Sequence, residues 1–504
     1  MSYLGIDLGT SGVKALLVDE AQRPLGAAVR PLAVRRPHPG WSEQDPAAWI
    51  AAAGAALDAL AASHPAALAA VRGIGLSGQM HGAVLLDAGD AVLRPCMLWN
   101  DTRAHAEAAA LDADPRFRAI TGNIVFPGFT APKLAWLRAA EPAAFAATRC
   151  VLLPKDFLRL WLTGERVSEM SDASGTGWLD VGARDWSEAL LAATGLDRAR
   201  MPRLVEGSAP AGGLRPALAA RWGMAAGVSV AGGAGDNAAA ALGAGIVAPG
   251  RALVSLGTSG VIFAATERFL PAPGTAVHAF CHALPGRWHQ MGVMLSAASA
   301  LDWFAGLAGQ PVDALLAGAG GPAAPGRVSF LPYLSGERTP HNDPHVGGAF
   351  VGLRHGDGAG ELARAVLDGI GFALRDNLDA LRAAGARIER LTAVGGGARA
   401  GALLHAVANA LGLPVEIPAD AASIAALGAA RLGMMAAEGA APEAVCTALP
   451  LAGSCEPADA LADAYAEGLA RHRALYPALA AVAAGHRPGH RAGHRSRHGG
   501  AAPA

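Results

Sequence analysis

A six-residue word that occurs twice constrains the fold of this chain more than any other feature. Leu8-Gly9-Thr10-Ser11-Gly12-Val13 returns as Leu256-Gly257-Thr258-Ser259-Gly260-Val261, about half of the 504-residue length further on. Each copy follows a short apolar run, Tyr3 to Ile6 or Ala252 to Val254, and precedes another, Ala15 to Val18 or Ile262 to Ala264. Strand, glycine-rich hairpin and strand therefore occur once in each half. Two similarly built domains facing each other are the economical architecture, and the length suits two large domains.

Helical and strand-like segments alternate between the copies and after them. Asp45 to Ser63 predicts a helix capped by Asp45 with Pro46 in its first turn, followed by a buried strand over Gly73 to Leu76. Leu362 to Leu381 predicts a long helix, then strand Leu391 to Val394, helix Ala398 to Leu411 and strand Leu413 to Ile417. Such alternation predicts an α/β fold with helices covering largely buried sheets. Ser208 to Leu214 and Gly318 to Gly326 are expected as loops. From Gly485 onward, histidines recur every fourth residue among Arg, Gly and Pro; a metal-binding tail competes with a disordered end over 485–504, and the helix breakers favour disorder.

Charge and hydropathy exclude several classes. The net charge is -1, and the four arginines of the last twenty residues leave the body at -5, which disfavours a nucleic-acid partner. Hydrophobic residues reach 52%, mostly through alanine, yet no uncharged apolar run attains the ~18 residues of a spanning helix, so no membrane partner is expected. The start of the chain lacks the pattern of a secretory signal, and five scattered cysteines suit reduced thiols, so the expected location is cytoplasmic.

The paired Gly-Thr-Ser-Gly hairpins, with Thr10 in one and Gly257 and Thr258 in the other, offer backbone N–H groups and hydroxyls for a phosphate chain held between domains. None of the three lysines follows a glycine, which excludes a Walker P-loop. Gly395 to Ala400 resembles a Rossmann turn, but a single late crossover would leave the hairpins idle, so Gly396 and Gly397 are taken as the approach of backbone to an adenosine. Asp7 ends the first strand, where a carboxylate beside phosphates calls for Mg²⁺, or it caps a turn. Lys14 reaches the same phosphates or is an ordinary solvated lysine. Asp236 stands nearly alone in an apolar stretch, as a base that accepts a proton from an attacking hydroxyl, as a helix cap, or as both. Gln79-Met80-His81-Gly82 and Trp99-Asn100-Asp101-Thr102-Arg103 combine polar groups with an apolar wall, as a sugar pocket does. Trp303 packs on a nucleotide base or in the core.

These residues resemble the FGGY carbohydrate kinases from about residue 2 to about residue 480. The likeness is carried by Gly5 to Lys14, Gly78 to Gly82, Leu98 to Asp101, Pro127 to Leu134 and Phe330 to Pro340; Gly128 to Trp136 and Gly348 to Asp368 fit the family's two signatures. The resemblance implies two ribonuclease H-like domains of the actin and hexokinase type around a central cleft, 1–245 mainly for sugar and 246–484 mainly for ATP. It also implies transfer of the γ-phosphoryl group of ATP to the 5-hydroxyl of D-xylulose, with a homodimer allowed for. By matching position, Asp236 is then the base, Met80 and His81 the sugar-binding pair, and Asn237 closes the pocket with Asp236. Asp7 matches the acid near the metal, Thr258 the second phosphate loop, and Gly396 and Gly397 the adenosine motif. A family kinase for ribulose, another sugar or glycerol is the nearest alternative, and an actin-like ATP-binding regulator without sugar transfer is the alternative of another class.

Overall fold

A computed structural model describes residues 1–485; beyond Gly485 the His/Arg-rich segment lies outside the described residues. In the first half β1 (Ser2–Leu8), β2 (Gly12–Asp19) and β3 (Pro24–Pro31) form an antiparallel meander, and β4 (Val71–Gly78) pairs in parallel with β1. Short strands β5 (Pro210–Gly213), β6 (Ser229–Ala231) and β7 (Ala234–Gly235) complete the sheet in the order β5-β6-β4-β1-β2-β3, with β7 beside the end of β4.

The second half repeats this plan. Its strands are β8 (Gly250–Leu256), β9 (Gly260–Thr266), β10 (His278–Cys281), β11 (Trp288–Met294), β12 (Ile388–Val394), β13 (Val415–Pro418) and β14 (Leu451–Cys455). They run in the order β14-β13-β12-β8-β9-β11-β10. Up to β11 the succession of parallel and antiparallel pairs matches the first sheet, so the β1–β2 and β8–β9 hairpins hold equivalent positions. The fold is the α/β pair of similar halves that the repeated word predicts, of the ribonuclease H-like type that the resemblance implies. Strand β5 lies inside a segment expected as a loop: Pro-Ala-Gly-Gly carries no side-chain alternation, and backbone pairing with β6 alone makes it a strand.

Helices cover both sheets. Helix α1 (Pro46–Ser63) starts as expected, with Asp45 accepting from the Ala47 amide at 2.9 Å. By length and composition α1 could cross a membrane, against the expectation that no segment could; its Trp49, Leu57 and Leu60 instead fill the first core, and its Asp58 pairs with Arg221 at 2.6 Å. The others that position the site are α2 (Thr130–Ala140), α3 (Asp236–Gly243), α4 (Ala359–Ala383), α5 (Gly401–Leu411) and α6 (Ile424–Glu438). The five cysteines are free and buried.

Helix α6 comes late in the chain yet lies on the first sheet, at near backbone-to-backbone distance. A Cβ on Gly5 of β1 would fall 1.8 Å from the Ala426 carbonyl oxygen, and one on Gly75 of β4 would fall 1.7 Å from that of Ala429. On the helix's other side, a Cβ on Gly428 would lie 1.8 Å from the carbonyl oxygen of Ala239 in α3. Arg431 of α6 donates to the Leu242 and Gly243 carbonyls at the end of α3, at 2.6 and 3.2 Å. One core therefore spans both halves, holding Tyr3, Leu16, Ala239, Phe263 and Met435 together.

Gly75→Ala should lower stability by at least about 3 kcal/mol, because backbone on both sides blocks relief of the overlap. Gly306→Ala, on a helix position with open space around it, should raise stability by ~0.5 kcal/mol. Urea denaturation of both variants checks the contrast, and equal midpoints would show that α6 does not seat as described.

Candidate active site

Sheet register brings the two candidate acids together. Asp7 of β1 pairs with Ser77 of β4, and Gly235 of β7 pairs with Gly78, so Asp236 follows a strand end adjacent to Asp7. The Ser77 hydroxyl donates to Asp7 Oδ1 at 2.8 Å. Burial raises the Asp7 carboxyl above its usual range, an effect that Ser77 and the charge of Lys14 reduce. Burial, and then the charge of Asp7, push Asp236 up to about 6.

Asp236 is the first residue of α3 and not its cap, which is Gly235. Its Oδ1 accepts from the Asn237 amide at 2.7 Å and the Asn237 Nδ2 at 2.9 Å; its other oxygen has no protein partner among the described residues. The turn before it is held from behind by groups that the sequence did not reveal. Buried Arg159 donates to the Gly232 carbonyl, and the Ser171 hydroxyl accepts from the Gly235 amide at 3.1 Å. Glu169 accepts in turn from Ser171, and buried Lys155 joins Asp156, Glu169 and Asp172 at 2.8 to 3.2 Å. In sequence these charges look like a solvated stretch, because nothing local distinguishes an acid facing water from one facing a buried lysine.

Met80 packs on Gly235, where a Cβ would approach its Sδ to 2.9 Å. His81 follows with φ 69°, a conformation that a non-glycine residue adopts only when its surroundings impose it. Here Lys133 Nζ and Thr130 Oγ1 of α2 donate to the His81 carbonyl at 2.8 and 3.2 Å. The imidazole stacks on Phe129 at 4.8 Å and its Nδ1 lies 2.7 Å from the Gly175 carbonyl, so Nδ1 is the donor. Burial lowers His81 to about 3, leaving a neutral ring whose Nε2 accepts.

Two expected site residues are otherwise engaged. Asp101 is no free acceptor in the pocket: its oxygens take Arg103 at 2.9 and 2.6 Å and the Ser42 amide at 2.7 Å, so it braces its loop. That loop presents half-exposed Trp99, whose Nε1 donates to Thr10 Oγ1 at 3.0 Å, and Thr10 donates to Gln79 at 2.9 Å. Lys14 donates across the halves to the Ala422 carbonyl, next to α6.

In the second half, Gly257, Thr258, Gly396 and Gly397 line one cavity of about 540 Å³ with Leu301 and Asp302. Gly396 has open space where a Cβ would stand, so a ligand can approach its backbone closely. Trp303 lies neither in this cavity nor in the core; it is 40% exposed and stacks on Phe330 and Phe350. The segment Phe330 to Pro340 carries Glu337, whose Oε1 accepts from the amides of Leu295 and Arg338 at 3.0 and 2.7 Å while Oε2 is buried without a partner. Burial pushes Glu337 up to about 8.

A duplicated sheet with matching hairpins, an acid at a strand end in one half and a glycine-lined cavity in the other is the arrangement that the resemblance to kinases of the actin and hexokinase type implies. The chain belongs to the FGGY family of carbohydrate kinases: the family's N-terminal domain model matches residues 2–243 and its C-terminal domain model residues 252–437. It is 53% identical over 440 residues to the xylulose kinase of Escherichia coli (strain K12), covering 86% of this chain and 90% of that protein. To the xylulose kinase of Lactococcus lactis subsp. lactis (strain IL1403) it is 38% identical, with 79% and 81% covered. Among solved structures, a xyloylose kinase from Brucella ovis is similar with TM-score 0.95 and 61% identity, over 96% of this chain and 100% of that one. The xylulose kinase from Rhodospirillum rubrum is similar with TM-score 0.90 and 31% identity, over the same shares.

Glu337 generates a pH prediction. Its folded-state pKa of about 8 exceeds the ordinary 4.5, so the stability present below pH 4.5 is lost as pH rises towards 8. Glu337→Gln keeps the acceptor oxygen and removes the titration, so its stability relative to the parent should improve steadily from pH 5 to pH 8 in urea denaturation. A constant difference between the two proteins would show that the carboxyl ionises normally.

Proposed function

We propose that this chain transfers the γ-phosphoryl group of ATP to the 5-hydroxyl of D-xylulose, giving D-xylulose 5-phosphate and ADP. The observation that carries the reading is the partnerless oxygen of Asp236, raised towards neutrality beside Asp7 at the converging ends of β1, β4 and β7. The choice of sugar is supported by the 53% identity with the Escherichia coli xylulose kinase.

Phosphoryl transfer asks the protein chiefly for positioning and charge stabilisation. Met80, the neutral His81 and Asn237 hold the sugar with its 5-hydroxyl at Asp236. The Thr10 hairpin and the Gly257–Thr258 hairpin take the phosphate chain from opposite sides, while Gly396 and Gly397 admit the adenosine. Asp236 accepts the hydroxyl proton as the oxygen–phosphorus bond forms; the bond from the γ-phosphorus to the bridging oxygen breaks, and ADP leaves with its electron pair. Magnesium fits this site. Asp7 has one oxygen on Ser77 and the other without a partner, and no cluster of three acidic, His or Cys ligands exists among the described residues, so phosphates and water would fill the remaining positions. When bound, the ion offsets phosphate charge.

Asp236→Asn should reduce turnover at least a thousandfold while ATP binding survives; turnover near the parent rate rejects the assigned base. His81→Gln should raise the sugar KM about tenfold and leave the ATP KM within twofold. Because His81 carries no charge above pH 5, the pH profile from 5 to 8 should keep its shape in that variant. ADP release across D-xylulose, ribulose, other ketoses and glycerol tests the substrate, and a clear preference for another acceptor replaces the sugar assigned here.

A further inference from the structure

A run of polar residues is ordinarily left in water, yet the segment 169–176, Glu-Met-Ser-Asp-Ala-Ser-Gly-Thr, is buried throughout and coiled into a short helical turn. Its conformation is fixed from within. Glu169 accepts from the amides of Ser171 and Asp172 at 2.7 and 3.0 Å and from the Ser171 hydroxyl at 3.0 Å. Lys155 stands between Glu169 and Asp172 at 3.2 and 3.0 Å, and the Thr176 hydroxyl donates to the Ala173 carbonyl at 2.7 Å.

Three contacts leave this segment for three different places. The Ser171 hydroxyl has given its proton to Glu169, so a lone pair is free to accept from the Gly235 amide at 3.1 Å, one peptide before Asp236. The Gly175 carbonyl receives His81 Nδ1 at 2.7 Å, and a Cβ on Gly175 would fall 2.4 Å from His81 Cε1. The Ser174 hydroxyl donates to the Met170 carbonyl at 2.7 Å and accepts from the Cys281 amide of β10, in the second half, at 3.0 Å. Gly232, Gly233 and Gly235 leave the turn that aims Asp236 broad conformational freedom, which a tie on its last amide removes. The His81 ring is stacked on Phe129 at 4.8 Å, so it has little room to yield to a bulkier residue at 175.

We propose that the segment 169–176 is a positioning element that sets the base and the sugar-binding histidine against each other, Ser171 acting on Asp236 through Gly235 and Gly175 acting on His81. The proposal rests on the sugar-kinase reading, and the segment works through Gly235 and His81 and not on the substrate. Its two arms bear on different steps. Ser171 governs where the proton is accepted, which is felt in turnover; Gly175 governs the ring that holds the sugar, which is felt in the sugar KM. Through Ser174 the same segment is tied to β10, so both arms are referred to the half that holds ATP in that reading.

The test is steady-state ADP release with D-xylulose for the parent, Ser171→Ala, Ser171→Cys and Gly175→Ala. Absence of D-xylulose phosphorylation in the parent overturns the sugar reading itself, whatever the variants do. Given parental turnover, Ser171→Ala should lower kcat at least tenfold with both KM values within twofold, because a small misplacement of a reacting group is costly. Ser171→Cys keeps the shape and weakens the acceptor, and should show the same loss more weakly; if an alanine variant does not fold, as judged by ATP binding, Ser171→Cys decides alone. Gly175→Ala should raise the D-xylulose KM at least tenfold, with the ATP KM within twofold and kcat within threefold of the parent. Asp236 supplies a second readout. Loosened from its enclosed place it ionises more readily, so the acidic limb of kcat/KM, near pH 6 in the parent, should move to lower pH in both Ser171 variants and stay in place in Gly175→Ala. Loss of kcat and sugar KM together in every variant, loss of neither, or an unmoved acidic limb in the Ser171 variants overturns the proposal.

Discussion

The seating of α6 on glycines is the contact from which the rest of the structure follows. With Gly5 and Gly75 on the sheet side and Gly428 on the helix, peptide backbones meet where side chains ordinarily intervene. Interiors are packed densely enough that a single added carbon has nowhere to go. Such an approach fixes the helix position against β1 and β4, and through Gly428 it fixes α3 against the helix. Since Asp236 begins α3 and Asp7 ends β1, one joint sets the separation of the two acids. It also draws the second half of the chain onto the first, and the Lys14 to Ala422 contact lies beside it.

Burial then turns position into chemistry. Asp7 and Asp236 are both enclosed at strand ends; burial raises both, and the charge of Asp7 adds to the rise at Asp236, so its place in the sheet sets its ionisation. The turn that carries it is clamped by Arg159 and Ser171, whose own orientation depends on the buried charges around Lys155. A buried network of this kind is poor evidence for stability, but it holds a short turn in one arrangement, which is what a positioned acid needs.

What could be read in the sequence follows from what is local. The repeated word revealed the duplication because a tight hairpin needs the same glycines wherever it occurs, and Asp45-Pro46 marked α1 because capping is decided within one turn. Asp236 stood out because an acid in an apolar stretch is rare on any account. Asp101 is less legible for the opposite reason: an acid two residues before an arginine can face a ligand or that arginine, and only the fold shows it paired with the arginine. The network of Lys155, Glu169 and Asp172 and the role of Gly5, Gly75 and Gly428 were illegible, since each is defined by partners distant in sequence or by space that is missing.

The division of labour between the halves has an electrostatic logic. Around the acids the first half places groups without charge: His81 is neutral, Met80 is apolar, and Asn237 hydrogen-bonds to Asp236. A neutral pocket beside two carboxylates does little to order a polar ligand by charge, so orientation must come from shape and from donors placed at a distance. Phe126 and Phe129 give the shape. From the second half, Arg338 lies over the ring of Phe126 at 4.5 Å on a segment whose backbone is tied to β11 through Val293, so the two halves meet at this aromatic group.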